Sequence, residues 1–186
     1  MRIISGNFKG KKILKPKDIH TRPLKDLAKE SIFNIIKHSK KFKIKIEGSV
    51  ILDLFSGVGS FGIECLSRNV DKVYFVENYK NVLPILKKNL SSLKLIKNFE
   101  IIEKDIYKEN VFKNFNQIFD IIFLDPPYKD NNIEKTLVKI KNSNILKNNG
   151  IMILHRHKKE KENLSNEFNI IEEKIYGISK IIFFTF

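Results

Sequence analysis

A chain of 186 residues with 42% hydrophobic content fits one domain with a sizeable buried core. Its single cysteine, Cys65, excludes an intramolecular disulfide and any cysteine-based zinc cluster. No apolar run approaches membrane-spanning length. The formal net charge of +14 is segregated: residues 1–46 hold 14 Lys and Arg against Asp18, Asp26 and Glu30, a net +11, whereas residues 47–186 hold 21 against 18 acids, only +3. A source rich in Lys, Asn and Ile explains scattered lysines but not this segregation. It predicts a basic extension, 1–46, facing a nucleic acid, and a catalytic domain, 47–186, because phosphate contacts supply sequence-independent affinity. A membrane surface fits less well, as no basic amphipathic helix with an aromatic face accompanies the charge. Met1-Arg2-Ile3-Ile4-Ser5-Gly6 carries no apolar signal stretch, so a cytoplasmic location is expected.

Arg2–Ser5 and Lys11–Leu14 flank Gly6-Asn7-Phe8-Lys9-Gly10, a pattern that predicts a hairpin with a basic, Phe-bearing tip. Arg2, Lys9, Lys11 and Lys12, with Arg22, are the candidates for phosphate contact. From Leu24 to about Lys40 the spacing of Leu27, Ser31, Ile32, Ile35 and Ile36 predicts an amphipathic helix. Beyond Val50, strands are expected near 50–55, 72–77, 100–104, 118–124 and 149–154, with helices near 59–68, 79–96 and 131–145. That alternation predicts a parallel sheet covered on both faces. The tail reads as two strands turning at Gly177. Ligands of such sheets bind at the carboxyl ends of strands, where Asp53, Glu77, Asp105 and Asp125 all fall.

After the apolar run Val50–Phe55 comes Ser56-Gly57-Val58-Gly59-Ser60-Phe61-Gly62, which satisfies the G-x-G-x-x-G pattern of dinucleotide sites, and Glu77 lies 20 residues after Gly57. A nicotinamide-dependent oxidoreductase is therefore a competing reading. Against it stands Asp53, a charge inside the strand four residues before Gly57, where a dinucleotide fold wants an apolar residue. A carboxylate there suits a ligand with an amino group. S-adenosylmethionine offers one in its methionine end, for Asp53 and the Phe55, Ser56, Gly57 and Gly59 loop. It also offers a ribose diol for Glu77 and an adenine amine for Asp105 and the adjoining Ile106. Cys65, between Ile63 and Leu66, reads as a small core residue. His155 and His157 could share a metal on one strand face, but no third ligand is identifiable; they read as surface or loop histidines, and no metal is expected.

Asp125-Pro126-Pro127-Tyr128 closes the apolar run Phe119–Leu124. An exocyclic amine on a base shares its lone pair with the ring, so methylating it requires acceptors that hold both N–H protons. Asp125 and the Pro126 carbonyl can be those acceptors, with Pro127 stiffening the turn and removing a backbone donor. Tyr128 can stack on the base. The alternative is an ordinary strand-to-loop stop.

With these motifs together, the chain resembles the bacterial 16S ribosomal RNA guanine-N2 methyltransferases of the RsmD type over nearly its full length. The matching stretches are Arg2-Ile3-Ile4-Ser5-Gly6 with Lys9–Lys12, Thr21-Arg22-Pro23 with Glu30–Asn34, Asp53–Gly57 with Gly59, Gly62 and Glu64, Phe75-Val76-Glu77, and Asp125–Tyr128. The resemblance implies a Rossmann-like class I α/β fold: a seven-stranded, mostly parallel sheet with helices on both faces and an N-terminal hairpin and helix. It implies S-adenosylmethionine as methyl donor and one guanine of small-subunit ribosomal RNA as acceptor. The implied partner is that RNA or an assembling small subunit, without membrane or metal. The chain departs from the family pattern near Leu154–His157, where acidic residues are usual, and at Leu24-Lys25, which replace small hydroxyl residues. Rival readings are a DNA adenine-N6 methyltransferase, a protein glutamine methyltransferase, the oxidoreductase, and a non-catalytic RNA-binding protein.

Overall fold

The apolar runs of the second half form one sheet because their β-branched and aromatic residues fill both of its faces. The computed structural model describes residues 1–16, 24–93, 97–108, 110–127, 130–161 and 164–186. Its elements run α1 (Asp26–His38), β1 (Val50–Leu54), α2 (Ser60–Ser67), β2 (Lys72–Val76), α3 (Leu83–Ser91), β3 (Phe99–Ile102), a 3-10 turn at Phe112–Asn114, β4 (Phe119–Leu124), α4 (Ile133–Asn142), β5 (Leu146–His157), β6 (Asn169–Tyr176) and β7 (Ser179–Thr185). The seven strands lie in the order β3-β2-β1-β4-β5-β7-β6. Pairings are parallel from β3 through β5, and β7 runs antiparallel to both of its neighbours. The expected seven-stranded, mostly parallel sheet with a closing hairpin is thus present. Strand order reverses at β1 and β4, whose ends align at Leu54↔Leu124, creating the crevice where such sheets bind ligands.

Successive strand residues point to opposite faces, and the core divides accordingly. Ile51, Ile121, Phe123, Ile153 and Phe183 pack with Phe33, Ile63 and Leu86 of the first three helices. Leu52, Leu54, Ile122, Leu124, Met152 and Leu154 pack with Ile133, Leu137 and Ile140 of α4. Ile3, Ile13, Ala28 and Ile32 of the extension belong to the first of these clusters.

Several boundaries differ from expectation. Helix α3 begins at Leu83 rather than near 79, with Pro84 in its first turn and Val82 N–H turned back to the Tyr79 carbonyl at 2.9 Å. Strand β5 continues to His157 because β7 pairs with it throughout that stretch. On α1 the buried stripe is Ala28, Lys29, Ile32, Phe33 and Ile36; Leu27, assigned to the buried face from spacing, lies roughly opposite and is 63% exposed. The expected N-terminal hairpin reduces to one antiparallel bridge, Arg2↔Lys12. Its turn is pinned to α2, not free: Asn7 N–H donates to the Ser67 carbonyl at 2.8 Å and Phe8 N–H to Ser67 Oγ at 3.0 Å. A side chain at Gly6, whose φ is +81°, would put its Cβ 1.7 Å from the Ser67 carbonyl oxygen, so only glycine fits. Among the described residues, no helix is long and apolar enough to cross a membrane.

Candidate active site

The chain leaves β1 through Phe55, a non-glycine residue at φ 57°, followed by Gly57 at 55° and Gly59 at 84°. Left-handed backbone at a phenylalanine costs about 1–3 kcal/mol and persists where surrounding bonds impose it. Here Ser56 N–H donates to the Val76 carbonyl at 3.2 Å and Gly59 N–H to the Ser56 carbonyl at 2.8 Å. The loop is held open by bonds to its own turn and to β2.

Asp53 shares the sheet face of Ile51 and is 1% exposed. Its Oδ2 accepts Gly62 N–H at 2.9 Å, an approach that requires glycine, since a Cβ there would sit 2.3 Å from the Phe75 ring. Its Oδ1 is buried without a hydrogen-bond partner. Burial pushes the Asp53 pKa well above the carboxylate range; the Gly62 N–H pulls it down, and Asp125 and Glu77 push it further up. An orphaned buried acceptor is unfavourable until a donor arrives, which suits an ammonium group entering the crevice.

Glu77 follows β2. Its Oε2 accepts Gly57 N–H at 2.7 Å, and its Oε1 accepts Asn78 and Tyr79 N–H at 2.9 Å each. It ties the end of β2 to the glycine loop. A carboxylate has about four lone-pair sites, so one remains for a hydroxyl donor. Asp105 lies three residues past β3, in a turn where its Oδ1 accepts Tyr107 N–H at 2.9 Å. Ile106 is buried with Leu54 and Val76, and the Phe55 and Tyr107 rings pack with centroids 5.5 Å apart.

The structure brings Asp125 next to this group: its N–H donates to the Leu54 carbonyl at 3.3 Å, bridging the ends of β1 and β4. Pro126 is buried and Pro127 exposed. Tyr128 and Arg22 lie outside the described residues. The Arg156 guanidinium donates to the carbonyls of Pro127 at 2.9 Å and Asp130 at 3.0 Å, and the Tyr107 hydroxyl hydrogen-bonds the Asp130 carboxylate.

The expectation of surface or loop histidines is corrected at His155. It is 2% exposed, and its Nδ1 lies 2.7 Å from Asp125 Oδ1. Burial lowers its pKa, but the charge of Asp125 and the hydrogen bond to it raise it, and the net displacement is upward. Arg156, in the segment that departs from the family pattern, is also 2% exposed, and the sequence assigns it no role. Ending the strand at 154 hid both residues. The register Leu124↔Leu154 sets His155 beside Asp125, and register is not readable from one sequence. His157 is half-buried, and its Nδ1 accepts Lys159 N–H at 3.2 Å.

Of the basic candidates, Arg2, Lys9 and Lys12 are exposed. Lys11 is half-buried: its ammonium bonds the Ser92 carbonyl and lies 5.9 Å from the Phe8 ring centroid. Cys65 is fully buried and its thiol pKa is pushed well up, chiefly by that burial, as expected of a core residue.

The model of the family described as Conserved hypothetical protein 95 matches residues 1–185. Ribosomal RNA small subunit methyltransferase D of Haemophilus influenzae is 33% identical, with 96% of this chain and 90% of the relative covered. The protein of the same name from Buchnera aphidicola is also 33% identical, over 93% and 86%. Among solved structures, HI0767 from Haemophilus influenzae superposes with a TM-score of 0.75 at 34% identity, covering 98% of this chain and 96% of that one. SMU.776, solved in complex with SAH, shares the fold at a TM-score of 0.63 and 14% identity, covering 85% of this chain and 49% of that one. The chain thus belongs to the Conserved hypothetical protein 95 family, the family of the RsmD-type methyltransferases.

Proposed function

We propose that the protein methylates the exocyclic N2 amine of a guanine in small-subunit, 16S ribosomal RNA, with S-adenosylmethionine as methyl donor. The observation that carries this reading is the pairing of two carboxylates at the β1/β4 crevice: Asp53, with a buried unpartnered oxygen, and Asp125, at the mouth of a proline-stiffened turn. Relatives named for ribosomal RNA small-subunit methylation support the substrate class.

In this reading Asp53 and the Phe55–Gly59 loop hold the methionine end, Glu77 the ribose, and Asp105 with Ile106 the adenine. The bound donor supplies an electrophilic methyl on sulfonium sulfur. Asp125 and the Pro126 carbonyl accept the two amine protons, so the nitrogen lone pair points at that carbon. The donor would give its methyl to that nitrogen and leave as the neutral thioether, and the surplus amine proton would pass to the Asp125 carboxylate that already holds it and on to solvent. Pro127 stiffens the turn, and Tyr128 stacks on the base. Because the methyl group is already activated, most of the acceleration comes from positioning. Residues 1–46 form the RNA-facing part and 47–186 the cofactor-binding part, with Arg2, Lys9, Lys11, Lys12 and Arg22 against phosphates. A ribosomal substrate, as RNA or assembling small subunit, places this work in the cytoplasm.

The test offers ribosomal RNA, duplex DNA and ribosomal protein together to the enzyme with methyl-labelled S-adenosylmethionine. Label should enter small-subunit RNA, and Asp125→Ala should slow its entry by roughly two orders of magnitude without loss of cofactor binding. Label in DNA or protein alone would overturn the substrate class. Saturable NAD binding without S-adenosylmethionine binding would overturn the cofactor.

A further inference from the structure

Leu124↔Leu154 is the last paired position of β4 with β5, so the next residues, Asp125 and His155, stand side by side where both strands reach the crevice. Their environments differ: the His155 side chain is 3% exposed and the Asp125 side chain 18%. Within β5, His155 shares the sheet face of Ile151 and Ile153, the face on which Asp53 and α2 also lie. The ring therefore meets Asp125 on the face packed by the first three helices, while the Asp125 carboxylate stays partly exposed.

A carboxylate that accepts one proton of an amine must present a single oxygen in a fixed plane, yet the Asp side chain rotates about two bonds. Asp53 repels it electrostatically from one side. A donor at 2.7 Å to Oδ1 fixes the rotation. Because the acceptor is a carboxylate, Nδ1 carries the proton in this pair. Among the described residues, Oδ2 has no protein partner.

We propose that His155 is a positioning residue for methyl transfer: its Nδ1–H holds Asp125 Oδ1 and thereby presents Oδ2 to the target amine. This rests on the reading of Asp125 as an amine acceptor.

The experiment compares His155→Phe, His155→Asn and His155→Gln with wild type and Asp125→Ala. It measures single-turnover methyl transfer to small-subunit RNA at saturating cofactor, the dissociation constants of cofactor and RNA, and thermal melting. An Asn amide nitrogen sits where Nδ1 does; a Gln amide reaches instead towards Nε2; Phe fills the space without a donor. His155→Phe should slow transfer about ten- to a hundredfold with both dissociation constants within about twofold of wild type. His155→Asn should recover most of the rate, and His155→Gln should not. Should His155→Phe fail to fold, the Asn and Gln pair decides alone. A wild-type rate in His155→Phe, or equal rates in the Asn and Gln variants, would overturn the proposal. A wild-type rate in Asp125→Ala would instead refute the acceptor reading beneath it.

Discussion

Lys29 on α1 and Glu64 on α2 are both fully buried and meet at 3.5 Å. Glu64 also accepts the N–H groups of Ile4 at 2.7 Å and Ser5 at 2.9 Å, and two nitrogens of Arg68, at 3.0 and 2.9 Å. Lys29 donates to the Arg2 carbonyl at 2.7 Å; burial lowers its pKa and Glu64 opposes that shift. One carboxylate on the helix that follows the glycine loop thus ties Ile4, Ser5 and α1 to α2.

Removing that carboxylate strands a buried ammonium and two backbone donors at once. Glu64→Ala should cost about 3–5 kcal/mol of stability in urea unfolding. Lys29→Met should cost less, because Glu64 keeps Arg68 and both N–H bonds. Equal effects would mean that the pair, rather than the backbone capture, secures the extension.

Asp53 carries a folded-state pKa raised well above its unfolded value. For an acid, that sign means the native state is penalised when the group is charged: the penalty is absent below the unfolded pKa and fully present above the folded one. Asp53→Asn should therefore raise the melting temperature of the ligand-free protein at pH 7.5. The same change should weaken S-adenosylmethionine binding by about 1.5–3 kcal/mol, the loss of a bond to a charged acceptor. Calorimetry and thermal melting of one preparation read both. A variant that both melts lower and binds normally would remove Asp53 from the site.

His155 has a linkage of the same sign. Its folded pKa is raised from 6.5, so its protonated pairing with Asp125 contributes stability fully below the unfolded pKa and loses it as pH rises through the folded pKa. Wild type minus His155→Asn stability, measured in urea, should shrink between pH 6 and pH 9. A difference that is flat across that range would show that the imidazole stays neutral.

Lys9 and Lys12 are exposed, whereas Lys11 is bonded to Ser92. Replacing Lys9 and Lys12 with Ala should flatten the slope of log RNA affinity against log salt by roughly 0.7 per lost phosphate contact. Cofactor affinity should stay unchanged. An unaltered slope would make these lysines a solvated face.

Much of this was legible in the residues themselves. The alternation of apolar runs with amphipathic stretches points to the sheet, and Asp53, Glu77, Asp105 and Asp125 fall at or just beyond the ends of β1 to β4, because both follow from local period and chain direction. What was not legible depends on pairing between distant segments. His155 gains its meaning from register with β4, and α1 turns Lys29 inward to a buried ion pair with Glu64 on α2 while Leu27 faces outward. Phe8 and its neighbours read in sequence as a basic, Phe-bearing tip, and the bonds to Ser67 that hold them reach a helix about 60 residues on. Local sequence carries no trace of such partners.

The central claim is the identity of the methylated atom. Small-subunit ribosomal RNA from cells lacking the protein, incubated with enzyme and labelled S-adenosylmethionine, is digested to nucleosides and separated by mass spectrometry. The account predicts label in N2-methylguanosine, entering about a hundredfold more slowly when Asp125→Ala replaces wild type. Label in N6-methyladenosine, or in another methylated guanosine, would contradict it.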